Sequence, residues 1–339
     1  MDMVVNPVGL NCRYYEALDE TLDQLADPGT SLARFKLDPR CANSIGSDSL
    51  STGLLPLEGN IVGELFTGAD ETRISRSYGA HSYWAETDQY LLLALWADES
   101  DEAGLAAATE RLYRELLEQT KTRGYPHLVR VWNYFADING EEQGLERYRQ
   151  FCLGRFDAFA AAGIAENQFP SACALGHRGG DLLIYALASK TPPHHFENPR
   201  QASAYHYPAE YGPRSPSFAR ASLLSLPGQM PKLFVSGTAS VVGYVTLHPF
   251  QLSEQITVTL ENLGLLLTHV ARQYAGDLDK LPLLQAEVLK VYVRHAADLH
   301  EIKARVEQAY PQVPVVYVAA DICRADLLLE IDGIWNLSV

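Results

Sequence analysis

The chain has 339 residues, enough for two domains that each bury a hydrophobic core. Its 42 acidic and 27 basic residues give a net charge of −15, which argues against nucleic acid or an anionic membrane as the main partner and means that any anionic small substrate must be drawn in by local arginines. The five scattered cysteines, Cys12, Cys41, Cys152, Cys173 and Cys323, form no C-x-x-C and read as reduced thiols; with no basic leader and no run of eighteen apolar residues, a cytoplasmic protein without a membrane segment is expected.

Residues 1–89 read as irregular β and loops, with the Gly/Ser/Asp-rich stretch 43–53 as a turn region. From there the last third of the chain repeats the middle third in coarse pattern. The first copy predicts a strand over 90–96 and a helix over 104–124. A strand over 127–135, a helix over 141–159 and the closing strands "PSACALG" and "DLLIYALAS" complete it. A long connection, 192–221, leads to the second copy, which opens with "KLFVSG" (232–237). Its first helix, 252–274, carries Ile256, Leu260, Leu263, Leu267 and Val270 at 4-3-4-3 spacing, with Ser253 as candidate N-cap. Then come a β-rich run over 286–295, a helix opened by Asp298 and Glu301 in capping-box spacing, and the strands "VPVVYVAAD" and "DLLLEIDGI". The closing pieces overlay: "HRGGDLLIYAL" (177–187) lies over "CRADLLLEIDG" (323–333), with Tyr185 where Glu330 stands.

This predicts an α+β protein of two tandem β-α-β-α-β-β domains, each a mixed sheet with helices packed on one face, and the two sheets side by side. The first domain is placed at 1–190, including an irregular N-terminal extension; the second is placed at 191–339, with 191–221 as a substrate-binding connection.

Strand alternation places Leu327, Leu329 and Ile331 on one face and Leu328, Glu330 and Asp332 on the other, so that Glu330 sits inside an apolar run. A strand glutamate ordinarily reaches solvent or an arginine. A carboxyl desolvated by such neighbours instead holds its proton to higher pH, as a general acid near neutrality must. That the sister copy has Tyr185 in its place favours a site-specific role. The connection supplies Arg200, Arg214 and Arg220 interleaved with Tyr205, Tyr207 and Tyr211. Guanidinium groups hold carboxylates bidentately and tyrosines offer ring faces, a composition suited to a ring bearing carboxylates; the plain alternative is a solvated Pro-rich linker. "SGTAS" (236–240) puts Gly237 and Ala239 at a strand end where a ligand could come close, or where a tight turn wants small residues. Cys323 reads by itself as a small buried filler. His194, His195 and His206 are not at metal-ligand spacing, so no metal site is expected.

Together, the Arg-Tyr loop, "SGTAS" and the terminal "ADICRADLLLEIDG" resemble the chorismatase family, enzymes that cleave chorismate into pyruvate and either a dihydroxycyclohexadiene carboxylate or a hydroxybenzoate. The two copies also resemble the small trimeric deaminases of the Rid type, and the resemblance implies tandem Rid-like domains with the site between them. It implies that Glu330 protonates the enolpyruvyl methylene and that Tyr205, Tyr207, Tyr211, Arg214, Arg220, Gly237, Ala239 and Arg324 bind the dianionic substrate. It further implies that Cys323, where hydrolytic members resemble one another in carrying alanine, directs the product to 3-hydroxybenzoate, with 4-hydroxybenzoate as a possible co-product. No cofactor is needed, since chorismate equals hydroxybenzoate plus pyruvate atom for atom, and a monomer or weak dimer is expected. Two rivals stay open: a chorismate hydrolase, and a Rid-like imine deaminase or metabolite-binding protein.

Overall fold

The computed structural model describes residues 9–16, 31–38, 49–68, 74–275 and 283–338; Cys41 and positions 43–48 of the expected turn region lie outside them. The described part of the stretch before residue 89 holds more strand than its sequence suggests. It contributes β1 (Asn11–Glu16), β2 (Ser31–Lys36), β3 (Leu50–Ser51), β4 (Leu55–Pro56), β5 (Ile61–Thr67), β6 (Ser75–Tyr78) and β7 (Ser82–Glu86). Most are too short for alternation to stand out. Four of them make a sheet ordered β1-β5-β2-β3, whereas β6 and β7 extend the first large sheet and β4 the second.

The first copy runs β8 (Tyr90–Ala97), α1 (Leu105–Thr122), β9 (His127–Ala136), a small hairpin of β10 (Glu141–Glu142) and β11 (Leu145–Glu146), α2 (Arg147–Ala161), β12 (Ser171–His177) and β13 (Leu182–Ser189). After β14 (His194–Phe196) and β15 (Ala221–Leu224), the second runs β16 (Lys232–Thr238), a hairpin of β17 (Val241–Val242) and β18 (Val245–Thr246), α3 (Leu252–Ala275), β19 (Leu283–Val293), α4 (Leu299–Ala309), β20 (Val315–Ala319) and β21 (Leu329–Ser338). The predicted repeat is real in three dimensions. The strand order β12-β9-β13-β8 in one sheet is matched by β20-β19-β21-β16 in the other, and in each only the outermost of these pairings is parallel. The protein is α+β.

Three local expectations shift. Residues 141–146 are a hairpin rather than the first turn of a helix, because Gln143 and Gly144 adopt positive φ (55° and 78°), which a right-handed helix does not allow. Helix α3 starts at Leu252, so Ser253 lies inside it instead of capping it. Asp298 already has helical φ/ψ after a single 3₁₀ turn and makes no side-chain cap bond, so the expected capping box does not form.

Helices cover one face of each sheet. Leu105, Leu112 and Leu116 of α1 pack on Leu93, Val131 and Ile184, and Ile256, Leu263 and Val270 of α3 pack on Val235, Val291 and Ile331. The helix-free faces turn inward to a shared core that the N-terminal sheet also enters through Leu32, Phe35 and Phe66. At one edge the sheets do lie side by side. There the Ser171 backbone N–H donates to Ser222 Oγ (2.8 Å) and that of Ala172 to Ser236 Oγ (2.9 Å).

Candidate active site at the junction of the sheets

Along β21, Leu329 and Ile331 point to the helices, which leaves Glu330 and Asp332 on the inner face. Glu330 stands opposite Tyr292 of β19 and is only 4% exposed. On its other flank the β16–β21 register breaks between Val235 and Thr238. Gly237 lies in this bulge, and a β-carbon there would sit 1.7 Å from Glu330 Oε1. The close approach that the sequence pattern anticipated at Gly237 is thus made by the protein's own carboxyl.

Glu330 lies at the wall of a cavity of about 430 Å³. Strand β12 contributes Cys173, α2 contributes Tyr148 and Arg155, and the long connection contributes Gln201, Tyr207, Tyr211, Phe218 and Arg220. Ala239 and Thr246 flank the β17–β18 hairpin side, and Cys323 and Arg324 precede β21. Residues more than 170 positions apart therefore meet here, and the connection is a wall of the site rather than a linker.

Burial pushes the Glu330 carboxyl up to about 8; Asp332 adds to this while Arg130 and Arg220 pull against it. No hydrogen bond or ion pair reaches Glu330 from the described residues. The Cys323 thiol is driven well above its ordinary range by burial and then by Glu330, and burial lifts Cys173 to about 12, so both face the cavity as neutral thiols. The cations opposite are preset. Arg220 Nη2 donates to Ala202 O and to Tyr207 OH (both 2.9 Å), and its guanidinium and that of Arg155 flank the Phe218 ring at 5.0 and 6.0 Å. Arg324 stacks on Tyr211 (4.5 Å) and Tyr207 (5.4 Å) and donates to Thr246 Oγ1. Among the described residues buried Arg155 Nε has no hydrogen-bond acceptor, as a group awaiting a carboxylate does, and Arg220 Nε has only the long ion-pair contact to Glu197 Oε2 (4.0 Å).

Of the residues singled out from sequence, Glu330, Cys323, Tyr207, Tyr211, Arg220, Gly237, Ala239 and Arg324 are brought together. Tyr205 and Arg214 are not. The Tyr205 ring packs edge-on to Phe169 (5.7 Å), and Arg214 lies over Phe156 (4.5 Å), in a separate depression behind Tyr207. Arg200 pairs with Glu261 (2.6 Å) on the surface. Nearness along the chain had grouped them, but the connection is broken into two 3₁₀ turns, Ala204–His206 and Ala209–Tyr211, rather than running as one strip along the cavity. Sequence reasoning missed Arg155 and Cys173. Arg155 had a signal: it falls four residues from both Phe151 and Phe159, an arginine on the buried stripe of α2.

A cavity of this kind, holding one desolvated carboxyl among arginines and tyrosines, defines a small-molecule site with a resident acid. Residues 64–188 match a family model described as "Chorismatase FkbO/Hyg5-like, N-terminal". The chain is 40% identical over 233 residues to a 3-hydroxybenzoate synthase of Streptomyces hygroscopicus, covering 67% of this chain and 68% of that protein. It is 36% identical over 277 residues to a chorismatase of Streptomyces rapamycinicus, covering 80% and 82%. A crystal structure of a chorismatase superposes with a TM-score of 0.83 at 31% identity, covering 97% of this chain and 99% of that one. The chain belongs to the chorismatase family.

Proposed function

We propose that this enzyme cleaves chorismate into 3-hydroxybenzoate and pyruvate, with Glu330 as the proton donor. The observation that carries the reading is Glu330 itself: a buried carboxyl at about 8, with no hydrogen-bond or ion-pair partner among the described residues, on the wall of an arginine-lined cavity. Chorismate is a dianion whose enolpyruvyl ether breaks once its methylene carbon is protonated, leaving positive charge beside the ether oxygen. Arg155, Arg220 and Arg324 offer the guanidinium groups to hold the two carboxylates, and Tyr207 and Tyr211 offer ring and hydroxyl surfaces. Glu330 gives its proton to the methylene. Its conjugate carboxylate then faces the developing cation and takes the proton of the C4 hydroxyl as that oxygen bonds to C3 and the C3–O ether bond breaks, releasing pyruvate; opening of the bridge at C4 and transfer of the C3 proton to the oxygen give 3-hydroxybenzoate, so no atom is gained or lost overall. Cys323 faces the same space as a neutral thiol and sets which ring position keeps oxygen. The same reading divides the chain near residue 190 into two domains with the site between them, and takes the protein as a cytoplasmic monomer or weak dimer that binds no nucleic acid. No helix among the described residues is long and apolar enough to cross a membrane.

The test is Glu330→Gln assayed with chorismate. Pyruvate release should fall by about 10³-fold with the fold intact, the scale of a lost general acid. Full activity in this variant would remove Glu330 from the mechanism. Ultraviolet and mass spectra of the wild-type product separate an aromatic hydroxybenzoate from a dihydroxycyclohexadiene carboxylate.

A further inference from the structure

We infer that Asp332 is a positioning residue for Glu330: paired with Arg130 and Tyr292 behind the cavity wall, it keeps Glu330 in the acid form. This rests on the reading of Glu330 as proton donor.

Asp332 follows Glu330 by two residues on the inner face of β21, about 7 Å away along the strand. It is buried, and its Oδ2 accepts from Arg130 Nη2 of β9 (2.6 Å) and from Tyr292 OH of β19 (3.0 Å). Tyr292, which stands opposite Glu330, shares its hydroxyl with Tyr134 (2.9 Å). Lys290, opposite Asp332, pairs at 2.5 Å with Glu64 of β5, which holds the lysine well above its ordinary range despite burial. The layer behind Glu330 therefore contains two matched pairs, Arg130 with Asp332 and Lys290 with Glu64. A third carboxylate would find no counter-charge there, and an unpaired charge in such a place is costly.

On the cavity side, Arg155 lines the space from α2, Arg220 from the connection, Cys173 from β12, and Cys323, Arg324 and Asp326 from the turn before β21, while Arg149 and Glu146 pair with each other (3.1 Å). The thiols are neutral and the arginines favour ionisation of Glu330. A bound dianion cancels these arginines, whereas Asp332 stays in place. The acid form is consequently favoured more in the complex than in the free enzyme, at the moment it is needed.

The pH profile of kcat/KM for pyruvate release reads the free enzyme. In the wild type its alkaline limb should fall near pH 8, where Glu330 loses its proton. Asp332→Asn removes the like charge and leaves Arg130 unmatched; both changes favour ionised Glu330, so the limb should move about one pH unit or more downward. Activity at pH 5.5 should stay within a few-fold of wild type. An unmoved limb overturns the inference, since a merely structural residue would lower activity at every pH. Because the single change strands a buried cation, the double variant Arg130→Met with Asp332→Leu is made alongside it. Replacing the whole pair by apolar groups preserves the fold more readily. Its limb should also move down, by less than in Asp332→Asn, and no movement there is equally fatal. The titration of Glu330 itself is followed by infrared difference spectra of ¹³C-glutamate-labelled wild type against Glu330→Gln. If Glu330→Gln keeps its activity, the proton-donor reading fails; if it is inactive but the infrared midpoint is the same in Asp332→Asn and wild type, only the role of Asp332 fails.

Discussion

The closing strands of the two halves, β13 and β21, hold the same place in the same strand order, yet one completes a core and the other carries the acid. Their outward rows are alike: Leu182, Ile184, Ala186 and Ala188 on β13, and Leu329 and Ile331 on β21, pack under helices. Their inward rows differ. Tyr185 is fully buried, sandwiched between Phe35 (4.1 Å) and Trp132 (4.7 Å), whereas Glu330 faces the cavity across the gap left by Gly237. The outward row builds the scaffold and is repeated. The inward row is released from that duty and can become core in one copy and site in the other.

The strongest way to break this comparison is to ask what the acid costs the fold. Glu330 is lifted from 4.5 to about 8, so the folded state holds a proton that the unfolded chain has lost at pH 5 to 8, and stability falls as pH rises through that window. Glu330→Gln abolishes the penalty. The variant should match the wild type near pH 4.5 and be more stable at pH 8 by about 4 kcal/mol, read from urea midpoints at the two pH values. A variant no more stable at pH 8 than at pH 4.5, relative to wild type, would mean that Glu330 carries no buried-carboxyl penalty.

Gly237→Ala asks the same question through geometry. The new methyl would collide with the end of a flexible side chain, so the carboxyl moves aside and the backbone does not. Activity should fall about 100-fold, the scale of a misplaced catalytic group, with little change in melting temperature. A large loss of stability with catalysis per folded molecule unchanged would show that the glycine serves the bulge alone. Cys323→Ala should be milder: pyruvate release persists while the aromatic product moves away from 3-hydroxybenzoate, measured as the product ratio by chromatography. An unchanged ratio would leave the thiol as packing.

What could be read from sequence divides along the same line. The repeat, the four long helices and the central strands were legible because the outward rows obey helix and strand periods over ten residues or more. The N-terminal strands were not, since Leu50–Ser51 and Leu55–Pro56 gain their partners only from distant strands. In the site, Glu330 was legible as a charge inside an apolar run. Arg155 and Cys173 were not picked out, because each looks locally like part of a core element and acquires its meaning only when α2 and β12 are set beside β21. Tyr205 and Arg214 had been grouped with the site for the converse reason: neighbours in sequence of Tyr207 and Arg220, they line a separate depression.

The gentlest prediction tests the silent half. Tyr185→Phe removes a hydroxyl that lies 3.4 Å from both Tyr134 OH and Lys290 Nζ, and keeps the ring stacked between Phe35 and Trp132. Lys290 retains Glu64, so no charge is stranded. The loss of these long hydrogen bonds, and of the one the same hydroxyl gives to Glu64, should cost about 1–2 kcal/mol in a urea titration, and kcat/KM should stay within about twofold of wild type. That outcome would mirror the one expected of Glu330→Gln at the corresponding strand, loss of catalysis with a gain of stability. A tenfold loss of activity in Tyr185→Phe would instead show that the chemistry draws on the inward rows of both closing strands, and the division between scaffold half and catalytic half would fall.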